Sequence, residues 1–388
     1  MHFSSRLTGL LALASAVVAA PVRQPDPEVA AATRVMDLKT TYQKQILSGI
    51  AGRQMGCSAK NIRIRNEWYA STLDDEDKAG YIAAVHCLNS LPAKTPLERA
   101  AGARTRYDDF VVAHIEQTPL VHASGLFLPF HRYFVHLYEQ DLRTQCAYTG
   151  PLPYWDWSLS YQDPRSASVF DGSDLSLGGN GAYVPDRPAT TITLPGGFKL
   201  TIPPATGGGC VASGPFTPDK FEVRLGPVAY APTGPDGGLG YNPRCLTRDL
   251  SPEFSNQTRP SRVLKLIDEC QDLACVNAQM DMADGVPGGI HAAGHWQVGL
   301  EALDIYASPA DPVFYLHHAQ IDRVWTIWQG QKPAERNMQV WGTGTALNEP
   351  PSPNVTLDSM IEFGILAPPK SVRELISTVD GELCYLYE

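Results

Sequence analysis

The chain has 388 residues, 43% of them apolar and 19% charged, with a formal net charge of −10. That length and apolar content can bury a large core, while the acidic balance, without any Lys/Arg cluster, argues against nucleic acid or anionic membrane partners. Eight cysteines form an even set, which in an exported chain favours disulfides over free thiols.

Residues 1–20 run from Met1 through a basic Arg6 and the apolar stretch Leu7 to Ala20, ending on small residues before Pro21. That layout predicts a cleavable signal peptide and a secreted product comprising residues 21–388. The stretch is shorter than the roughly 20 residues of a membrane span, and no other run approaches that length. Cleavage removes Arg6 and brings the charge to −11.

From residue 27 to 160 the pattern is helical, with apolar positions at helical spacing over Glu28 to Leu47, Asp74 to Leu91, Pro96 to Ile115 and Pro129 to Thr144. Few strands are needed there. Between Ser166 and Pro260 glycine, proline and threonine accumulate, as in Leu177-Gly178-Gly179-Asn180-Gly181, which predicts loops with short strands around Thr190 to Ile202. Cys210 and Cys245 flank part of this region and favour ordered loops over a disordered linker. Helical spacing returns at Pro260 to Met282 and at Asp311 to Gln329, where Asp311-Pro312 supplies an N-cap and a proline at the first helical position. Cys270 and Cys275 are near enough to pair locally, and the remaining connectivity is open. Asn256-Gln257-Thr258 and Asn354-Val355-Thr356 are glycan acceptor triplets and agree with export. With no dividing linker in sight, the expectation is one mainly α domain, a helical bundle core with long loops and a few short strands.

Eight of ten histidines fall in two clusters: His114, His122, His131 and His136, then His291, His295, His317 and His318. His291 and His295 are four apart, so on a helix both imidazoles project from one face and can grip one metal. A third ligand would come from the next helix, where His317-His318 stands near the start. His318, Asp322 and Trp325 share a face of it, giving Asp322 a role beside the ligands or a structural one. The alternative for Asp322-Arg323 is a surface ion pair. In the first cluster the spacings of 8 and 9 between His114, His122 and His131 are not helical. Convergence there needs a turn between two antiparallel helices, the usual way a bundle builds a metal site. Six neutral imidazoles suit copper, and also zinc, iron or nickel. The lack of a bridging carboxylate at ligand spacing favours copper.

Phe127-Leu128-Pro129-Phe130-His131-Arg132 with His114 and His122, and His291-Ala292-Ala293-Gly294-His295 with the run Asp311 to Trp325, resemble the two copper-binding signatures of the type 3 copper proteins: tyrosinases, catechol oxidases and haemocyanins. The resemblance spans roughly residues 80 to 330 and is greatest to the short secreted fungal catechol oxidases. It implies two copper ions as cofactor, O2 as co-substrate and small phenols as substrates. It assigns His114, His122 and His131 to the first copper and His291, His295 and His318 to the second, leaving His317 as a neighbour that packs there or supports the ligands. His136 then belongs to core or surface. His86 is the rival for a first-copper ligand, but its distance from His114 does not fit. No cysteine lies between Cys87 and Cys146, so no thioether to a ligand is expected.

True tyrosinases resemble one another in an Asn directly after the first ligand of the second copper and a Glu shortly before it. Here Ala292 follows, and Ala283 to Ile290 contains no Glu. The resemblance therefore implies oxidation of o-diphenols to o-quinones, with o-aminophenols and weak action on monophenols left open and Asp284 as a substitute base. Leu303, Ile305 and Tyr306 either shape the substrate entrance or pack the core. The 63 residues after Trp325 end in Tyr385-Leu386-Tyr387, similar to the tyrosine motif that closes this domain, so no C-terminal blocking domain is expected. The competing readings are a haemocyanin-like O2 carrier and a dizinc hydrolase. Oligomeric state is not legible.

Overall fold

The computed structural model describes residues 26–69, 72–283 and 286–388. The expected signal peptide and Asp284 lie outside the described residues.

Helix α1 (Pro27–Ile50) starts on Asp26, whose carboxylate accepts from the Glu28 amide. It packs on the central helix α9 (Val313–Gln331), which also meets α4 (Phe127–Cys146). Helix α2 (Asp75–Leu88) lies against α4, and α3 (Arg106–Val121) runs beside both. A short helix α5 (Pro252–Ser255) precedes α6 (Pro260–Glu269), α7 (Leu273–Asp281) and α8 (Ile290–Trp296). The expected mainly α architecture is what forms. Among the described residues no helix is long and apolar enough to cross a membrane.

Two boundaries differ from the sequence pattern. The segment from Pro96 is irregular, and α3 begins only at Arg106, because Thr105 and Asp108 form a reciprocal capping box there. The helical stretch expected from Pro260 to Met282 breaks after Glu269. Cys270 and Cys275 close that turn, and Asp272 caps α7 by accepting the Cys275 amide at 2.8 Å.

Strands occur where few were expected. β1 (Arg63–Glu67) pairs in parallel with β2 (Pro153–Tyr154) on one side and with the C-terminal strand Tyr385–Tyr387 on the other. Cys57 joins Cys384 beside this pairing. In the glycine-rich middle, β3 (Gly181–Tyr183) pairs with β6 (Gly208–Val211), while β4 (Thr190–Thr193) and β5 (Lys199–Ile202) form the hairpin expected near Thr190. Cys210 joins Cys245, so that region is tied, and Cys87 joins Cys146 between the ends of α2 and α4.

Asp322 and Arg323 are both buried, so the surface ion-pair alternative fails. Asp322 accepts from Arg132 Nε at 2.6 Å and from the Tyr385 and Tyr387 hydroxyls at 2.6 Å each. Arg323 pairs instead with Asp156 at 3.2 Å. Asp322 therefore ties α9 to α4 and to the closing strand, and none of its hydrogen bonds reaches a histidine. Of the two roles expected for it, beside the ligands or structural, these contacts are of the structural kind.

Candidate metal centre

His114 sits in the middle of α3, fully buried. Pro119 lies five residues on, and because proline removes a helical hydrogen bond and clashes with the preceding turn, the helix stops at Val121. His122 is therefore thrown out of helical geometry, at φ −98° and ψ 149°. Helix α4 starts five residues later with Pro129 in its first turn, where proline is tolerated, and presents His131 back toward α3. The turn between antiparallel helices forms as the spacing requires. The ring centroids of His114, His122 and His131 lie 5.0–5.5 Å apart.

His291 and His295 share one face of α8, and His318 arrives from α9. His295 Nε2 stands 3.1 Å from His291 Nε2 and 3.1 Å from His318 Nε2. The two clusters touch, since the His131 and His318 rings stack at 4.2 Å. Phe314 packs against His114 at 5.0 Å and His318 at 4.2 Å, and Phe127 packs against His131 at 4.8 Å and His291 at 4.6 Å.

Tautomers follow from what the outer nitrogens meet. His114 Nδ1 donates to the Tyr306 carbonyl at 2.7 Å, His131 Nδ1 to the Phe127 carbonyl at 2.9 Å and His295 Nδ1 to the Ala302 carbonyl at 2.9 Å. His291 Nδ1 donates to Asp281 Oδ1 at 2.7 Å. A carbonyl or carboxylate can only accept, so these rings carry their proton on Nδ1 and turn an Nε2 lone pair inward. His114 and His131 then oppose lone pairs at 3.3 Å, and His291 and His295 at 3.1 Å. Such pairs repel unless a cation lies between them, so this donor set fits a metal in each cluster. Burial pushes the His114 imidazole down to about 4 and those of His122, His131, His295 and His318 well below their usual value. The rings are thus held neutral, as ligation requires. No carboxylate belongs to either group of converging ligand atoms among the described residues.

His317 also stands near the second group, but its Nδ1 accepts from the Trp157 indole N–H at 3.0 Å, and its ring lies against Gly294, where any Cβ would overlap it. That lone pair is occupied, and the ring packs between α8 and α9. His136 is buried away from both clusters and stacks on Tyr133 at 5.6 Å. His86 stacks on Phe216 at 4.9 Å and joins neither group.

A cavity of ≈ 600 Å³ opens over His122, His291 and His295. Ala292, Leu303 and Ile305 line it, together with the hairpin tip at Leu194, Pro195 and Phe198. Tyr306 contributes its carbonyl to His114 rather than a side chain to the wall. Sequence reasoning missed three features here: Asp281 behind His291, Trp157 behind His317, and the hairpin roof. Only Asp281 left a local trace, as an acid one turn after Asn277.

Residues 104–331 match the family model for the common central domain of tyrosinase. The chain belongs to the tyrosinase family. It is 38% identical over 337 residues to "Tyrosinase P" of Aspergillus terreus, covering 84% of this chain and 91% of that protein. It is also 38% identical to "N-acetyl-6-hydroxytryptophan oxidase ivoB" of Emericella nidulans, covering 86% and 94%. The solved polyphenol oxidase of Thermothelomyces thermophila, a point mutant, superposes with a TM-score of 0.84 at 37% identity, covering 92% of this chain and 98% of that one. As a tyrosinase-family protein, the chain is a copper oxidase, and its two histidine clusters fit the dicopper site that the family uses with O2. Enzymes of the family act on small phenols.

Proposed function

We propose that this chain is a secreted catechol oxidase that converts o-diphenols to o-quinones, with His114, His122 and His131 holding one copper and His291, His295 and His318 the other. The observation that carries this reading is the two facing sets of Nε2 lone pairs, adjacent through the His131–His318 stack. Copper held there would supply the redox chemistry by which two diphenols give four electrons to one O2, yielding two quinones and two waters. The protein fixes ligand orientation through its backbone carbonyls, keeps His114, His122, His131, His295 and His318 neutral by burial, and offers an apolar cavity that admits an aromatic ring and limits water. Ala292 places a methyl group beside His291, where it can neither accept a phenol's proton nor orient a water to do so. Diphenols, and o-aminophenols of the same shape, are therefore favoured over monophenols.

The open cavity supports an enzyme over an O2 carrier, and the all-imidazole ligand groups support copper over a dizinc hydrolase. Export with loss of residues 1–20, leaving 21–388 as one catalytic domain, is supported by the four disulfides and by the exposed side chains of Asn256 and Asn354, which accept glycans in this reading. The test is copper content with O2 uptake on catechol, tyrosol and 2-aminophenol. Two coppers per chain and rapid uptake on catechol are expected, falling to one copper and negligible uptake in His114→Ala. A metal-bound protein that consumes no O2 with any of the three phenols refutes the reading.

A further inference from the structure

The cavity over the histidines is electrically one-sided. Among the described residues that line it, Asp281 is the only acid, and none is a lysine or arginine. The Asp281 side chain is 41% exposed and sits at the end of α7, with Asn277 one turn earlier on the same wall. Its Oδ1 accepts a hydrogen bond from His291 Nδ1, and among the described residues no cation and no other donor pairs with the carboxylate. Elsewhere the wall is apolar and reaches a rim where Phe198 is 52% and Leu347 55% exposed. At ≈ 600 Å³ the space exceeds a bare catechol ring and falls within the range of drug-sized ligands. A ring that reaches the histidines therefore leaves room for its substituent beside an unneutralised carboxylate in a cavity of low polarity, where charge interactions are stronger than in open water.

We infer that Asp281 sets the charge preference of this oxidase, favouring diphenols whose ring substituent ends in an ammonium group and rejecting those ending in a carboxylate. This rests on the o-diphenol oxidase reading. The chain's net charge of −10 steers in the same direction from a distance, but only the local carboxylate discriminates between substituents once the ring is bound. Asn277 adds no charge, so among the described lining residues the preference falls to Asp281.

Three catechols of similar size test it on the copper-loaded protein: 4-(2-aminoethyl)catechol, 4-ethylcatechol and 3,4-dihydroxyphenylacetate. The expected kcat/KM ratio of amine to acid is about tenfold, carried mainly in KM and shrinking as salt screens the half-exposed carboxylate. In Asp281→Asn the ratio falls to within about twofold. Any effect of that variant on His291 acts on all three substrates alike and cancels in the ratio. Asn277→Asp, which leaves the Asp281–His291 contact intact, raises the ratio. A ratio near one in the natural chain, or one unchanged in Asp281→Asn, overturns the inference. Failure of the natural chain to oxidise 4-ethylcatechol overturns the oxidase reading instead. The charge preference is then decided by quenching of the cavity tryptophans Trp296 and Trp341 with 2-phenylethylamine and phenylacetate. Tighter binding of the amine, lost in Asp281→Asn, supports the inference, and equal affinities overturn it.

Discussion

Replacing Asp322 by Asn separates anchoring of the fold from support of the metal centre. The side chain is 2% exposed and lies between Arg132 and Arg65, both fully buried, while two tyrosine hydroxyls donate to its Oδ2. Asparagine keeps the shape, removes the charge and turns an N–H₂ toward groups that are themselves donors. Arg132 then loses its carboxylate and keeps only neutral partners, the carbonyls of Leu375 and Ile376 and the side chains of Thr326 and Gln329. Breaking a buried pair from one side costs about 3–5 kcal/mol, mostly because a charge stays buried without its counter-charge. Urea unfolding at fixed copper concentration reads this as a lower midpoint at unchanged slope, while copper stays at two per chain because Asp322 touches no histidine. Burial alone would push the Asp322 carboxyl up, but Arg132 and Arg65 reverse this and hold it below its usual value. Its stabilisation is therefore present above pH about 4 and lost as pH falls through the lower folded value, and the variant lacks that acid limb. A loss under about 1 kcal/mol, or a drop in copper at full folding, refutes the reasoning.

Two further outcomes are expected. Burial pushes the His136 imidazole down from 6.5 to about 4, so the unfolded chain binds its proton first on acidification. The associated stability is complete above pH 6.5 and falls by about 3 kcal/mol as pH drops to 4, and His136→Gln, measured by unfolding from pH 7 to 4, flattens that slope without removing copper. Ala292→Asn places a hydrogen-bonding amide beside His291, where true tyrosinases carry one, and raises the rate on 4-methylphenol relative to 4-methylcatechol about tenfold, the worth of one well-placed hydrogen bond. O2 uptake on that substrate pair checks it.

The histidine code was legible because it is local. A spacing of four puts His291 and His295 on one face of any helix, and the spacings of 8 and 9 in the other group call for a turn, which the structure builds at Pro119 and Pro129 to bring His114, His122 and His131 together. The helical periodicity of α1, α4 and α9 was equally readable, as was the local Cys270–Cys275 pair, while the other three disulfides were not.

What the chain's ends and loops do to that code is another matter, settled by contacts between residues far apart in sequence. Periodicity says which face of α9 carries Asp322, but only packing shows that this face meets Arg132, 190 residues earlier, and Tyr385, 63 later, rather than a ligand or water. The hairpin roof at Leu194 and Phe198 and the charge at Asp281 belong to the cavity because separate segments converge there, and no local pattern encodes that meeting. The sequence by itself thus marked out two histidine groups, one through a helical spacing of four and the other through its resemblance to a copper-binding signature, and the chemistry that neutral imidazoles suit. Tertiary structure alone decided what surrounds them, because a side chain's surroundings depend on which distant surface is buried against it.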